Sequence, residues 1–284
     1  MEELYAGLDL GTSSAKLVVL GADGITRART EVGYPTHTAA GGIAEQHPDH
    51  WWQAGREAIA ASGLAQQVTA LGLTGQMQDL VPLSEGRPLG AAILYSDTRA
   101  QPQLDALHQA LPDLPGRTGN EQDASSVAAK LGWLAEHDQP RLAAADLLLL
   151  GAPGHVMHRA TGVACCDTVT ASATGLLDVA ARGWDEEVLA RLGAAPQLLP
   201  SLAQEDQTGK LTSAAAAELG LRPGIAAVHA MGDAGSTTDG LVGSEPPPSR
   251  PRRHRNCGPA WWPIGRCTRQ SNNYRAPLGS EPRH

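Results

Sequence analysis

Two tight turns near the N-terminus constrain the fold of this chain more than any other feature. Leu4-Tyr5-Ala6-Gly7-Leu8-Asp9-Leu10 reads as a strand, and Gly11-Thr12-Ser13-Ser14 turns it. Lys16-Leu17-Val18-Val19-Leu20 is a second strand, Gly21-Ala22-Asp23-Gly24 turns again, and Ile25 to Val32 returns as a third, more polar strand. Turns this short cannot hold the crossover that parallel strands need, so the three strands form an antiparallel meander. Helical signals follow. His47-Pro48 opens a helix running to about Ala61, with Pro48 in the first turn, where its missing N–H costs nothing. Val68 to Thr74 is a short, nearly continuous apolar run, read as a buried strand, and Pro88 to Tyr95 is a further extended segment. Helices are expected over Pro102–Leu111, Ser126–His137, Glu186–Leu192 and Thr212–Leu219, and strands over Leu147–Leu150 and Gly224–Met231. A meander followed by strands alternating with helices predicts an α/β layered sheet with a mixed edge.

The pattern stops at about Gly243. Residues 1–243 hold 14 basic and 28 acidic side chains, whereas residues 244–284 hold 8 Arg and 2 Glu. Those last 41 residues also contain 8 of the chain's 20 prolines, with neither helical nor strand periodicity. The expected organisation is one acidic domain, 1–243, followed by an irregular Pro/Arg-rich tail, 244–284.

Several classes fall away. Met1-Glu2-Glu3 is acidic where a signal peptide is basic, and no apolar run approaches the roughly 20 residues of a membrane span. Adjacent Cys165 and Cys166 read as buried thiols of a reducing compartment, and Cys257 and Cys267 lack zinc-ligand spacing. A cytoplasmic protein without membrane contact is expected.

Four places carry chemistry. Asp9-Leu10-Gly11-Thr12-Ser13-Ser14 places hydroxyls and backbone N–H groups in a turn that can face an anion, with Asp9 able to hold a magnesium-bound water. By itself the turn reads first as a plain hairpin decorated with hydroxyls, and no GxxxxGK[ST] loop is present. Gly232-Asp233-Ala234-Gly235 sets a carboxylate at a strand end, where it can take a proton from an attacking hydroxyl or simply cap the next helix. Gly75-Gln76-Met77-Gln78-Asp79 and Tyr95-Ser96-Asp97-Thr98-Arg99 both follow apolar strands, and are expected to deliver polar groups to one end of one sheet. Such amides, carboxylates and guanidinium groups suit a polyol, and surface loops held by an Asp97–Arg99 pair are the other reading. Lys130-Leu131-Gly132-Trp133 by itself reads as amphipathic helix packing, and His229 by itself as a core histidine.

Taken together with Glu45-Gln46-His47-Pro48, Trp51-Trp52 and Trp184-Asp185, these segments resemble, in order and over residues 4–243, the FGGY carbohydrate kinases. The resemblance implies a ribonuclease H-like domain of the actin/hexokinase type and ATP-dependent phosphorylation of a ketopentose, D-xylulose first, to its 5-phosphate. It implies ATP and Mg²⁺ as cofactors, with Gly11, Thr12 and Ser13 facing the phosphates and Asp9 the metal. Asp233 becomes the catalytic base, and Met77, Gln78, Asp97 and Arg99 contact the small-molecule sugar. The family usually carries Met-His where this chain has Met77-Gln78, Trp where it has Tyr95, and Ser, Thr or Pro where it has Val127. These departures bear on which sugar is bound, and gluconate, ribulose or glycerol types are alternatives. Family members continue into a second domain, and residues 244–284 resemble nothing in it. The tail is therefore expected to be a frameshift product or an artefact, the chain to be a truncated and inactive form or a non-catalytic sugar-binding fragment, and the uncovered surface to favour a homodimer. A nucleic-acid partner for the Arg-rich tail is the weaker alternative.

Overall fold

The computed structural model describes residues 2–203 and 207–229. Asp233, the final residues of the predicted strand Gly224–Met231 and the whole of 244–284 lie outside the described residues.

The meander is present as β1 (Leu4–Leu10), β2 (Ser14–Gly21) and β3 (Thr26–Gly33), each antiparallel to the next. A small hairpin, β4 (His37–Ala39) and β5 (Ile43–Gln46), leads into α1 (Pro48–Ala61). β6 (Val68–Gly75) and β7 (Met77–Ser84) follow, separated by the single residue Gln76, and then β8 (Arg87–Pro88) and β9 (Ala92–Ile93). The expected extended run Pro88–Tyr95 is thus two short pieces. Helices α2 (Gln101–Ala110), α3 (Leu114–Thr118), α4 (Val127–His137) and α5 (Gln139–Ala144) precede β10 (Leu147–Gly151) and α6 (Ala152–Thr161). The remainder comprises β11 (Cys165–Asp167), α7 (Thr168–Ala173), β12 (Leu177–Asp178), β13 (Gly183–Trp184), α8 (Glu186–Arg191), β14 (Ser201–Ala203), β15 (Gln207–Lys210), α9 (Ser213–Leu219) and β16 (Ala226–His229). Helix starts follow local chemistry: the Ser126 and Thr212 hydroxyls and the Asp185 carboxylate accept from first-turn N–H groups of α4, α9 and α8.

Among the described residues, six strands form a sheet in the order β15-β16-β6-β1-β2-β3. β6 runs parallel to β1, and β16 parallel to β6. An antiparallel meander extended by parallel strands beside β1 is the mixed, ribonuclease H-like sheet that the resemblance implied. Leu4, Ala6, Leu8 and Leu10 alternate inward along β1 and pack with Leu17, Leu71 and Leu73 and with α1, α6 and α9 in one core. A second sheet, β10-β7-β9-β5-β4, stands between that core and another. Leu149, Val81 and Leu83 face the first core, while Leu148, Leu150 and Leu80 face the second, built with α2, α4 and α8. A strand buried on both faces needs apolar side chains at every position, which is why Leu147–Leu150 shows no alternation.

Candidate functional site

The turn between β1 and β2 is held from beneath. Gly11 N–H donates to Ser14 O (3.1 Å) and Tyr34 N–H to Ser13 O (3.1 Å). The Tyr34 hydroxyl donates to Gly11 O and lies 3.3 Å from Ser14 O. Gln46 Nε2 donates to Thr12 O at 2.7 Å. Every carbonyl from residue 11 to residue 14 is therefore turned into the protein. No hydrogen bond among the described residues engages the N–H groups of Thr12 or Ser13, and Ser13 is exposed. Carbonyls inward with donors outward is the arrangement an anionic oxygen requires. Asp9 lies one residue upstream of Leu10 at the same strand end. Burial, then the charges of Asp79 and Asp9, raise the Tyr34 phenol above the usual tyrosine range, so it stays protonated and donating.

The second turn joins β6 to β7. Gly75 sits at φ +148°, a conformation open to glycine, and an added Cβ would lie 2.3 Å from Leu10 O. Gln76 N–H donates to Leu10 O (2.9 Å), which sets this turn directly beside the first. Met77 and Gln78 are half-buried. Met77, Gly75, Gln76, Pro153, Cys165 and His229 border a small cavity at the ends of β6 and β16. Gln78 holds a left-handed backbone, φ 66°, unusual for a residue with a side chain. Two contacts maintain it: Lys130 Nζ donates to Gln78 O (2.6 Å), and Ser125 Oγ donates to Gln78 Oε1 (3.2 Å).

Lys130 is fully buried, and its Nζ also donates to Ser125 O (2.5 Å). Burial lowers the ammonium to about 8, against the attraction of the Asp79, Asp97 and Asp123 carboxylates. The reading of this segment as helix packing missed that role. Only the absence of a solvent-facing position for the lysine on a helix apolar at Val127, Ala128, Leu131 and Leu134 would have signalled it.

The third segment follows β9. It does not leave the same sheet as the Gly75 turn, contrary to expectation: β6 belongs to the six-stranded sheet and β9 to the other. They meet because β7 starts one residue after β6 ends and pairs with β9 through Leu80 and Ile93. Tyr95 N–H donates to Asp79 Oδ1 (3.0 Å), and the Tyr95 hydroxyl lies 2.9 Å from Thr12 Oγ1, so the segment touches the first turn. Asp97 is fully buried, accepting from Ala44 N–H (2.7 Å), Arg99 N–H (3.0 Å) and the Arg99 guanidinium (2.7 Å). Arg99 also donates to Glu45 (2.8 Å), with its guanidinium 4.9 Å from the Trp133 ring centre. The Asp97–Arg99 pair is present, but in the interior and not on a surface loop. Sequence reasoning did not find Tyr34, whose neighbours Gly33 and Pro35 give no hint of its two carbonyl partners.

Cys165 and Cys166 are buried free thiols. His229 is buried at the end of β16, and burial lowers its imidazole despite Asp167, which keeps it neutral near pH 7. Among the described residues, no three His, Cys, Asp or Glu side chains gather to hold a metal, and no helix is long and apolar enough to cross a membrane.

A sequence model of the FGGY family of carbohydrate kinases, N-terminal domain, matches residues 4–240. A xylulose kinase of Streptomyces coelicolor is 32% identical over 260 residues, covering 82% of this chain and 53% of the relative. A xylulose kinase of Escherichia coli is 32% identical over 248 residues, covering 84% and 50%. The crystal structure of ligand-bound xylulose kinase from Lactobacillus acidophilus superposes with a TM-score of 0.79 at 24% identity, over 84% of this chain and 50% of that one. The chain spans about half the length of the curated relatives it matches.

Proposed function

Because the chain belongs to the FGGY family of carbohydrate kinases, we propose that it forms the sugar-binding half of an ATP-dependent kinase acting on D-xylulose to give the 5-phosphate. The observation that carries this reading is the meeting of the 11–14 turn with the Tyr95–Arg99 segment. A turn with all its carbonyls held inward and its Thr12 and Ser13 N–H groups outward lies within 2.9 Å of the segment bearing Tyr95. A phosphate subsite and a polyol subsite side by side are what phosphoryl transfer to a hydroxyl needs.

In this reading Gly11, Thr12 and Ser13 receive phosphate oxygens of ATP. Asp9, at the end of β1 beside that turn, is a carboxylate suited to a water of Mg²⁺, and the metal, when bound, would neutralise phosphate charge. Met77 and Gln78 face the sugar, with Gln78 offering a neutral amide to a hydroxyl. Arg99 is braced by Asp97, whose oxygens are spent on Ala44 and Arg99, so Asp97 acts through Arg99 and not on the sugar itself. Asp233 takes the proton of the attacking hydroxyl as its oxygen bonds to the γ-phosphorus and ADP departs. Residues 1–243 are proposed as the domain and 244–284 as a segment outside it.

Titration calorimetry of the 284-residue chain with D-xylulose, D-ribulose, gluconate and glycerol, and separately with Mg-ATP, tests the reading. Tightest binding of D-xylulose supports it, and tighter binding of any other polyol reassigns the substrate. Sugar binding without nucleotide binding would make the chain a sugar-binding module. For the base, Asp233→Ala in a full-length relative should abolish turnover with sugar affinity retained within about threefold. Preserved turnover removes Asp233 from that role.

A further inference from the structure

One motif of the sequence has no place in the chemistry above. Glu45-Gln46-His47-Pro48 joins the end of β5 to the start of α1, and its Gln46 side chain is 2% exposed. Its carboxamide makes four hydrogen bonds. Nε2 donates to Thr12 O (2.7 Å) and Thr36 Oγ1 (2.6 Å). Oε1 accepts from Trp51 Nε1 (2.7 Å) and Gln76 Nε2 (2.9 Å). An amide with both donors and both lone pairs used in the interior has one orientation, because flipping it would oppose donor to donor and acceptor to acceptor.

The partners belong to different parts of the fold. Thr12 is in the phosphate-facing turn of the six-stranded sheet, Gln76 adjoins Met77 and Gln78, and Trp51 is a fully buried anchor in α1. We infer that Gln46 is a positioning residue that holds the 11–14 turn and the 75–78 turn in one register, the first through the donor half of its amide and the second through the acceptor half. This inference rests on the proposed assignment of those turns to phosphate and sugar. The physical reason is that Thr12 O can point inward, leaving its neighbouring N–H groups outward, only while an interior donor meets it, and Gln46 supplies that donor from the same amide that fixes Gln76.

The test uses the full chain with two substitutions. Gln46→Met keeps the volume and removes all four bonds. Gln46→Glu is isosteric and keeps the acceptors for Trp51 and Gln76 while removing the donors to Thr12 and Thr36. Amide hydrogen exchange by mass spectrometry reads the turns without ligand, and calorimetry with D-xylulose and with Mg-ATP reads the subsites. Gln46→Met should raise exchange about tenfold or more in peptides spanning 10–14 and 75–78, leave α2 and β10 unchanged, and weaken both ligands about tenfold or more. Gln46→Glu should raise exchange at 10–14 alone and weaken Mg-ATP more than D-xylulose. A purely space-filling residue would be fully rescued by glutamate. Unchanged exchange in both turns, equal effects of the two substitutions on both turns, or affinities within twofold of wild type would overturn the inference. If wild type binds neither ligand, the assignment of function has failed and the exchange pattern alone decides on Gln46. If Gln46→Met does not fold, the Gln46→Glu pattern decides.

Discussion

Lys130 shows how much chemistry one position can hide. Its neighbours on α4 are apolar and its ammonium is buried, so its hydrogen bonds to Gln78 O and Ser125 O replace water. The unfolded chain keeps a lysine proton to about pH 10.4, whereas burial lowers this one to about 8. Between those values the unfolded state binds more protons, so stability from this group rises with pH across that window. In urea melts of wild type and Lys130→Met, the difference in unfolding free energy should therefore move in favour of wild type by about 1–3 kcal/mol from about pH 7.5 to about pH 10.5. A flat trend would mean the ammonium is solvated, and an opposite one that the Asp79, Asp97 and Asp123 carboxylates outweigh its burial. Asp97 sits in the same network but from the other sign of charge. Asp97→Ala leaves the Arg99 guanidinium and Ala44 N–H without their main partner, and a cost of about 3–5 kcal/mol in chemical denaturation is expected. That Asp97 and Arg99 matter was legible from their segment, and the role of Lys130 was not. That the Asp97–Arg99 pair lies in the interior could not be read either, since a carboxylate two residues from an arginine pairs with it equally well on a surface.

At the scale of elements, the sequence reading succeeds where a local signal is complete. β1 and β2 alternate, α1 has Pro48 at its start, and Ser126, Asp185 and Thr212 cap their helices. It fails where burial removes the signal. α6 buries Ala152 through Met157 without interruption, so no polar face marks a helical period, and Pro153 and Gly154 argue against a helix. β7 has no counterpart among the expected strands, because it carries Pro82 and ends in Ser84, yet it pairs with β8, β9 and β10. The joint between β6 and β7 is the sharpest constraint of this kind. A methyl at Gly75 cannot coexist with Leu10 O at 2.3 Å, and the neighbour is backbone that cannot move away cheaply. Gly75→Ala should lower stability by about 3 kcal/mol or more, seen as a thermal midpoint lower by roughly 6 °C or more. An unchanged midpoint would show that β6 and β7 can separate at this joint.

At the scale of the whole molecule, the domain boundary is the prediction that composition makes. The family match ends at residue 240, three residues before the charge and proline content change at Gly243. A chain ending at Gly243 should unfold with the same thermal midpoint as the 284-residue chain, within about 2 °C, and a drop of 5 °C or more would place part of 244–284 on the domain. The sequence is enough to set the antiparallel meander, because short turns allow only antiparallel neighbours and the alternation of Leu4, Ala6, Leu8 and Leu10 selects the buried face. It also determined the kind of residue at each candidate position. Which of those residues meet depends on the packing of the two sheets. The 11–14 turn, the 75–78 turn and the Tyr95–Arg99 segment come from two sheets, and they converge because β7 follows directly from β6, an interior strand of one sheet, and pairs inside the other, with Gln46, Tyr34 and Lys130 filling the interior between them. Those contacts span dozens of residues along the chain, and hydrophobic periodicity, which reports the burial of single side chains, carries no information about their partners.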